Sequence, residues 1–330
     1  MTRENYALID LHLHLDGSLS LESVKALAKM QNIDIPDSDA EILKTLRVSE
    51  DCHDLNEYLE KFAFPGMLLQ TKEGISESVY RLCEELKEQG LIYAEIRFAP
   101  QLHLAKGLTQ DEVVEAAIAG AKRSTFKCGL ILCCMRGNDN RAQNLDTVRA
   151  AKKYLGDVVC SIDIAGAEAL FPTKDFEELF TLAKEKNIPY TIHAGEADGP
   201  ESVRDALRFG TKRLGHGVRS VEDDELVKTL AKEGITLELC PTSNIHTCIF
   251  EKMEDYPIRK LMAAGVRVTV NTDNMAVSGT TLQNEMSKLI DTFGLTKEEQ
   301  RIIAQNSADA SFATSGTKQW INEEIERIFA

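Results

Sequence analysis

Apolar positions along this chain recur with a period that switches between two and about three and a half residues, the alternation of strands with amphipathic helices. The first apolar run, Ala7-Leu8-Ile9, reads as a strand and continues into Asp10-Leu11-His12-Leu13-His14-Leu15-Asp16-Gly17. Further strand patterns cover residues 91–98, 128–135, 158–164, 188–193, 213–216, 235–240 and 266–271. Helical spacing follows them, starting near 109 and then over 144–154, 176–186, 201–209, 223–232 and 258–264. Strands that alternate with helices predict a parallel sheet. Eight such units predict an α/β fold, a closed (β/α)8 TIM barrel, here one domain over residues 1–330. An open doubly wound sheet is the competitor. It calls for a Gly-x-Gly-x-x-Gly between a strand and a helix, and none is present.

Two stretches depart from the rhythm. Residues 20–86 are helix-rich and contain no strand pattern; Ser18 to Val24 reads as a capped helix start. Pro36 and Phe64-Pro65-Gly66 interrupt the stretch, which is too long for one crossover helix. It predicts a helical insertion that could fold over one end of the barrel. Residues 297–330 are helical as well and predict extra helices packed on the outside.

Composition narrows the partners. The chain is 43% hydrophobic and 28% charged, ordinary globular usage, with a net charge of −15 that disfavours nucleic acid and anionic membranes. Eight cysteines form no Cys-x-x-Cys pair. Five of them (Cys128, Cys133, Cys134, Cys160 and Cys240) lie in or beside apolar runs, as reduced structural thiols do. No run reaches membrane-helix length, and the amino terminus lacks the apolar segment of a signal peptide. These features predict a soluble, cytoplasmic protein; the oligomeric state is not legible.

Unusual polar residues fall at the predicted strand ends. His12 and His14 share one strand face. His193 ends strand five, with Glu196 three residues on; His216 ends strand six; Asp273 and Asn274 follow strand eight. Barrel active sites form at the carboxyl ends of the strands. Three imidazoles and a carboxylate suit zinc, so His12, His14, His193 and Asp273 are the candidate ligands of one ion per chain. Zinc acidifies a bound water, and the reaction then needs a base and an acid. His216 and Glu196 are the candidates, against the plainer readings that Glu196 caps the helix near residue 201 and His216 bonds a loop. His53, His103 and His246 read as bystanders. The residues alone predict metal-assisted hydrolysis, with no substrate named.

His-Leu-His-Leu-Asp-Gly-Ser, Ile-Asp-Ile-Ala-Gly-Ala-Glu, Thr-Ile-His-Ala-Gly-Glu, Arg-Leu-Gly-His-Gly, Glu-Leu-Cys-Pro-Thr-Ser-Asn and Val-Asn-Thr-Asp-Asn occur in order between about residues 5 and 310. Together they closely resemble the adenosine deaminase family of the amidohydrolase superfamily. The resemblance implies hydrolytic deamination at C6 of adenosine or 2′-deoxyadenosine, giving inosine or deoxyinosine and ammonia. It also implies a small purine nucleoside as partner, and zinc on His12, His14, His193 and Asp273. Glu196 would protonate purine N1, His216 would orient the attacking hydroxide, Gly166 would meet N3, and Asp16 would accept from the ribose 5′-hydroxyl. A carboxylate at Asp16 favours a free nucleoside over a 5′-phosphate.

The chain departs from the family at Asn274, where a second aspartate is usual and donates to N7; an amide is also a donor. It departs again at Ala167, where bacterial relatives often carry aspartate before the retained Glu168. Cytidine-type deaminases are excluded, because Cys240-Pro241 stands in the wrong order for their ligands. Binuclear amidohydrolases resemble the His-x-His pair but commonly carry a lysine at the end of strand four, which is absent here. The remaining alternatives are another 6-aminopurine substrate, such as adenine or an N6-substituted adenosine nucleotide, and a non-catalytic nucleoside- or metal-binding barrel.

Overall fold

The computed structural model describes residues 6–49 and 52–330. Its strands are β1 (Ile9–His14), β2 (Tyr93–Phe98), β3 (Cys128–Met135), β4 (Val159–Ala165), β5 (Ile192–Ala194), β6 (Arg213–His216), β7 (Thr236–Leu239) and β8 (Arg267–Val270). All pairs are parallel and in chain order, in two arcs, β1 to β4 and β5 to β8. Both seams between the arcs are bridged. Ile162 pairs with Tyr190, and Leu13 with Asp273. At the second seam the His14 N–H donates to the Asp273 carbonyl (2.7 Å) and the Asp273 N–H to the His12 carbonyl (2.8 Å). The ring is therefore a closed (β/α)8 barrel, and its β1–β8 seam is made by candidate ligand residues.

β5 is shorter than the apolar run 188–193 predicts. Pro189 has no N–H to give the ladder. Only its carbonyl serves there, accepting from Ile162 at 3.1 Å, and regular pairing starts at Ile192.

The stretch 20–86 divides in two. Helices Leu21–Gln31, Asp39–Leu46, Leu55–Leu59 and Ala63–Leu68 form the insertion, whereas Lys72–Glu88 is the crossover helix that returns the chain to β2. Oxygen side chains mark several starts: Ser20, Ser38, Asp54 and Thr71 each accept from a backbone N–H three residues on. Lys72–Glu88 packs closely on the helix Gln110–Arg123, where a Cβ at Gly120 would come within 2.3 Å of the Ser76 carbonyl.

At the far end, Lys297–Ala310 lies against β8 and β1. Ser315–Phe329 then covers the amino-terminal mouth of the barrel, its Ile321 and Ile325 packed with Ile9, Leu11, Ile92 and Tyr93. Cys133, Cys134 and Cys240 are buried, while Cys128 and Cys160 are only partly so. No helix among the described residues is long and apolar enough to cross a membrane.

Candidate active site

Strand alternation sorts β1 into two faces. Leu11 and Leu13 pack outward into the apolar clusters, and Asp10, His12 and His14 point into the barrel. His193 comes from β5. His216 and Asp273 leave their strands in the left-handed region, with φ of 58° and 60°. That conformation costs a non-glycine residue about 1–3 kcal/mol and persists where surrounding structure enforces it.

The candidate ligand atoms converge. Asp273 Oδ1 lies 3.4 Å from His12 Nε2 and 3.4 Å from His14 Nε2. His14 Nε2 lies 3.4 Å from His193 Nε2. Four donors at zinc–ligand distance in a tetrahedron are about 3.3–3.4 Å apart, so the spacing fits one such ion. The chemistry fits too: His12 Nε2 is buried without a hydrogen-bond partner. His12, His216, Cys240 and Asp273 form a second grouping of possible ligands. There, burial raises the Cys240 thiol well above its usual pKa, and its S–H donates to the Glu238 carbonyl at 3.4 Å.

Three of the four candidate ligands are held from behind. His12 Nδ1 bonds Glu238 Oε2 at 2.7 Å. His193 Nδ1 sits 2.7 Å from Asp163 Oδ2, off the line of a well-aligned bond. Ser243 donates to Asp273 Oδ2 at 2.6 Å. Arg97 joins the two acids, donating to Asp163 at 2.7 Å and Glu238 at 2.8 Å. Burial alone would raise both carboxyls. For Asp163 the His193 imidazole and Arg97 outweigh it; for Glu238 the guanidinium groups of Arg213 and Arg97 do.

His216 and Glu196 face each other, Nε2 to Oε2 at 3.7 Å. The Asn244 amide donates to His216 Nδ1 at 3.1 Å, and Tyr256 fixes that amide by donating to its oxygen at 3.1 Å. Burial, and then the neighbouring His12, push His216 well below its usual pKa, so the ring is neutral with its proton on Nε2. Glu196 moves the other way. Burial first, then the Asp273 and Glu168 carboxylates, raise it well above the usual range and keep it a neutral acid. It caps no helix: Pro200–Arg208 starts at Gly199 with no side-chain cap.

His14, Asp16, Gly166, His193, Glu196, His216, Asp273 and Asn274 border one cavity of about 210 Å³, and His12 lies buried behind them. Gly166 has a φ of 108°, a conformation open to glycine. Gly17 is needed for space, because a Cβ there would lie 1.9 Å from Asn274 Oδ1. Burial pushes the Asp16 carboxyl up to about 6. Leu55, Tyr58, Leu59 and Phe62 of the insertion form the apolar wall opposite. Of the other histidines, His53 is exposed and His246 half-buried. His103 is buried with both ring nitrogens unpartnered.

Asp163, Glu238, Arg97, Ser243 and Asn244 escape the sequence reading. The first three are charges inside apolar strands, a visible oddity. Ser243 and Asn244 lie on a short helix, Pro241–His246, with proline at its first position, where the sequence reads only as a turn.

The adenosine deaminase family model matches residues 8–328. The chain is 46% identical to an adenosine deaminase of Haemophilus ducreyi, over 98% of this chain and 96% of the relative. It is 39% identical to one from Clostridium botulinum, over 98% of each. Among solved structures, the adenine deaminase of Arthrobacter aurescens superposes with a TM-score of 0.86 at 26% identity, over 98% of this chain and 99% of that one. The whole barrel, with its insertion and its terminal helices, lies inside these matches, and the chain belongs to the adenosine deaminase family.

Proposed function

We propose that the protein is a zinc-dependent hydrolase that converts adenosine and 2′-deoxyadenosine to inosine and deoxyinosine, releasing ammonia. The observation that carries this reading is the Glu196 carboxyl facing the His216 ring at 3.7 Å, both against the candidate ligand cluster in one cavity. His12, His14, His193 and Asp273 would hold the ion. Zinc, when bound, supplies Lewis acidity that brings a water towards ionisation at neutral pH. Glu196 gives its proton to purine N1, which draws electron density from C6 and opens it to attack. His216 offers its Nε2 proton to the incoming oxygen, orienting it and stabilising its charge. One proton of the consumed water departs on ammonia, and the other restores Glu196, so the cycle balances.

Three further contacts would hold the substrate. The Gly166 N–H meets N3, the Asn274 amide donates to N7, and Asp16 accepts from the ribose 5′-hydroxyl. The negative charge of Asp16 disfavours a 5′-phosphate. Eight free cysteines suit a reducing cytoplasm.

The test is ultraviolet absorbance of adenosine, 2′-deoxyadenosine, adenine, AMP and N6-methyladenosine, each incubated with zinc-loaded protein. Adenosine and deoxyadenosine should be converted fastest, and Glu196→Gln should keep zinc while losing nearly all turnover. Faster turnover of adenine or of a nucleotide would move the substrate elsewhere among the 6-aminopurines. No turnover of any of them would favour a binding role.

A further inference from the structure

Beyond the charge by which it helps to raise Glu196, Glu168 has no role in the chemistry above, yet it is 1% exposed and forms the most heavily bonded carboxylate near the cavity. It lies two residues after Gly166, in the loop that leaves β4, and its side chain crosses to the loop that leaves β5. Oε1 accepts from the Gly195 N–H at 2.7 Å and from the Ser202 hydroxyl. Oε2 accepts from the N–H groups of Glu196 (2.9 Å), Ala197 (2.8 Å) and Asp198 (3.1 Å). Consecutive backbone donors curled around one carboxylate form an anion nest, and bonds to an ionised acceptor are about twice as strong as neutral ones. Among the described residues, no cation is bonded to Glu168. Nearby Arg136 donates instead to the carbonyls of Phe171 and His193 and to the Thr173 hydroxyl.

The loop held this way carries Glu196, and the loop that holds it carries Gly166. On the proposed reading these two residues meet N1 and N3, which flank C2 in one six-membered ring. We infer that Glu168 is a positioning residue that fixes the separation between the Glu196 carboxyl and the Gly166 N–H, so that one purine ring satisfies both. This inference rests on the functional reading above. A brace of the β5 loop alone would affect every ligand of Glu196 equally; a spacer between two contacts affects most the ligand that uses both.

That difference supplies the experiment. Purine riboside carries N1 and N3 but no leaving group, and in 3-deazapurine riboside N3 is a C–H. Their affinities are measured by calorimetry on the zinc-loaded wild-type protein and on Glu168→Gln and Glu168→Asp. Glutamine turns an amide NH2 towards N–H donors; aspartate withdraws the acceptor by one methylene. Both variants should weaken purine riboside by up to about tenfold, the loss of one neutral hydrogen bond to the ring. They should weaken the 3-deaza compound less than about threefold, so that the preference for N3 collapses. Hydrogen exchange at residues 195–198 should accelerate in both.

Equal weakening of the two ligands would overturn the spacer role, and unchanged exchange at 195–198 would overturn the brace beneath it. Should the Glu168 variants fail to fold, Ser202→Ala removes one bond to Glu168, with one to Thr173, and keeps the charge; it should narrow the same preference by a smaller factor, and an unchanged preference would overturn the role. Adenosine turnover by the wild-type protein is a separate reading. Its absence would count against the proposed function, while the two affinities still decide Glu168.

Discussion

Asn274 and His103 show how a buried polar side chain can be tuned or left alone. Asn274 is 3% exposed, with Oδ1 unpartnered and pressed against Gly17. An amide is neutral at any working pH, so its N–H donors do not depend on protonation. In Asn274→Asp the new carboxyl would sit beside Asp273 and Asp16 in a buried cavity. Both conditions raise its pKa, and it donates only while protonated. The variant's kcat/KM for adenosine should therefore fall with rising pH beyond the alkaline fall that loss of the Glu196 proton gives both proteins, and 7-deazaadenosine should show less of the added fall. Parallel pH profiles for both substrates would remove Asn274 from N7. His103 is a simpler case. Burial lowers its pKa to about 4, against 6.5 for an unhindered imidazole. Between those values the unfolded chain binds the extra proton, so the contribution to stability is full above pH 6.5 and is lost as pH falls towards 4. At pH 5 the loss is about 2 kcal/mol. His103→Leu should match the wild type in urea unfolding at pH 7 and exceed it by roughly that amount at pH 5; identical pH slopes would mean His103 titrates normally.

The insertion is where element-scale physics meets the cavity. Leu55, Tyr58, Leu59 and Phe62 follow the i, i+3, i+4, i+7 spacing of one helical face, yet Leu55–Leu59 is five residues long. A helix so short is not stable by itself and depends on its docking. One hydrogen bond contributes to that docking, beside the packing of Leu55 and Tyr58 on Val277: the Tyr58 hydroxyl meets Ser278 Oγ at 2.7 Å. Tyr58→Phe should loosen this wall by about 0.5–1.5 kcal/mol, raising KM for adenosine several-fold with kcat within about twofold. A drop in kcat at unchanged KM would instead give Tyr58 a role in the chemical step. The repeating strands were legible because alternation and burial act locally, and the strand-end histidines were legible because barrel geometry sends strand ends to one face. Which helix of residues 20–86 would face the cavity was not, since each carries a similar apolar stripe. The acids behind the ligands were hidden for another reason. Glu238 meets His12 across 226 residues of chain, and only the register of β1 and β7 in the closed ring brings them together.

At the scale of the whole molecule, the ligand cluster and the barrel interior are one charged network. Arg97, fully buried, bonds Asp163 behind His193, Glu238 behind His12, and the Leu11 carbonyl at 2.6 Å. Arg213 also bonds Glu238, pairs with Glu95 at 2.6 Å, and lies over the Phe312 ring at 4.2 Å. The Phe312 N–H donates to Glu95 in turn. The network thus runs from the candidate ligands through the barrel axis to the segment that closes its amino-terminal mouth. Removing one partner from a buried ion pair leaves uncompensated charge and costs about 3–5 kcal/mol. Arg97→Met fills similar volume without the charge and leaves Asp163 and Glu238 short of a cation. Glu238 keeps Arg213, but Asp163 keeps only His193, so the β5 ligand is the one set adrift. Arg97→Met should therefore lower stability by about that amount and, by freeing His193, also reduce zinc bound per chain. Urea unfolding and elemental analysis on the same preparation read the two effects. Full zinc occupancy in a destabilised variant would mean that the network supports the barrel without positioning the ligands.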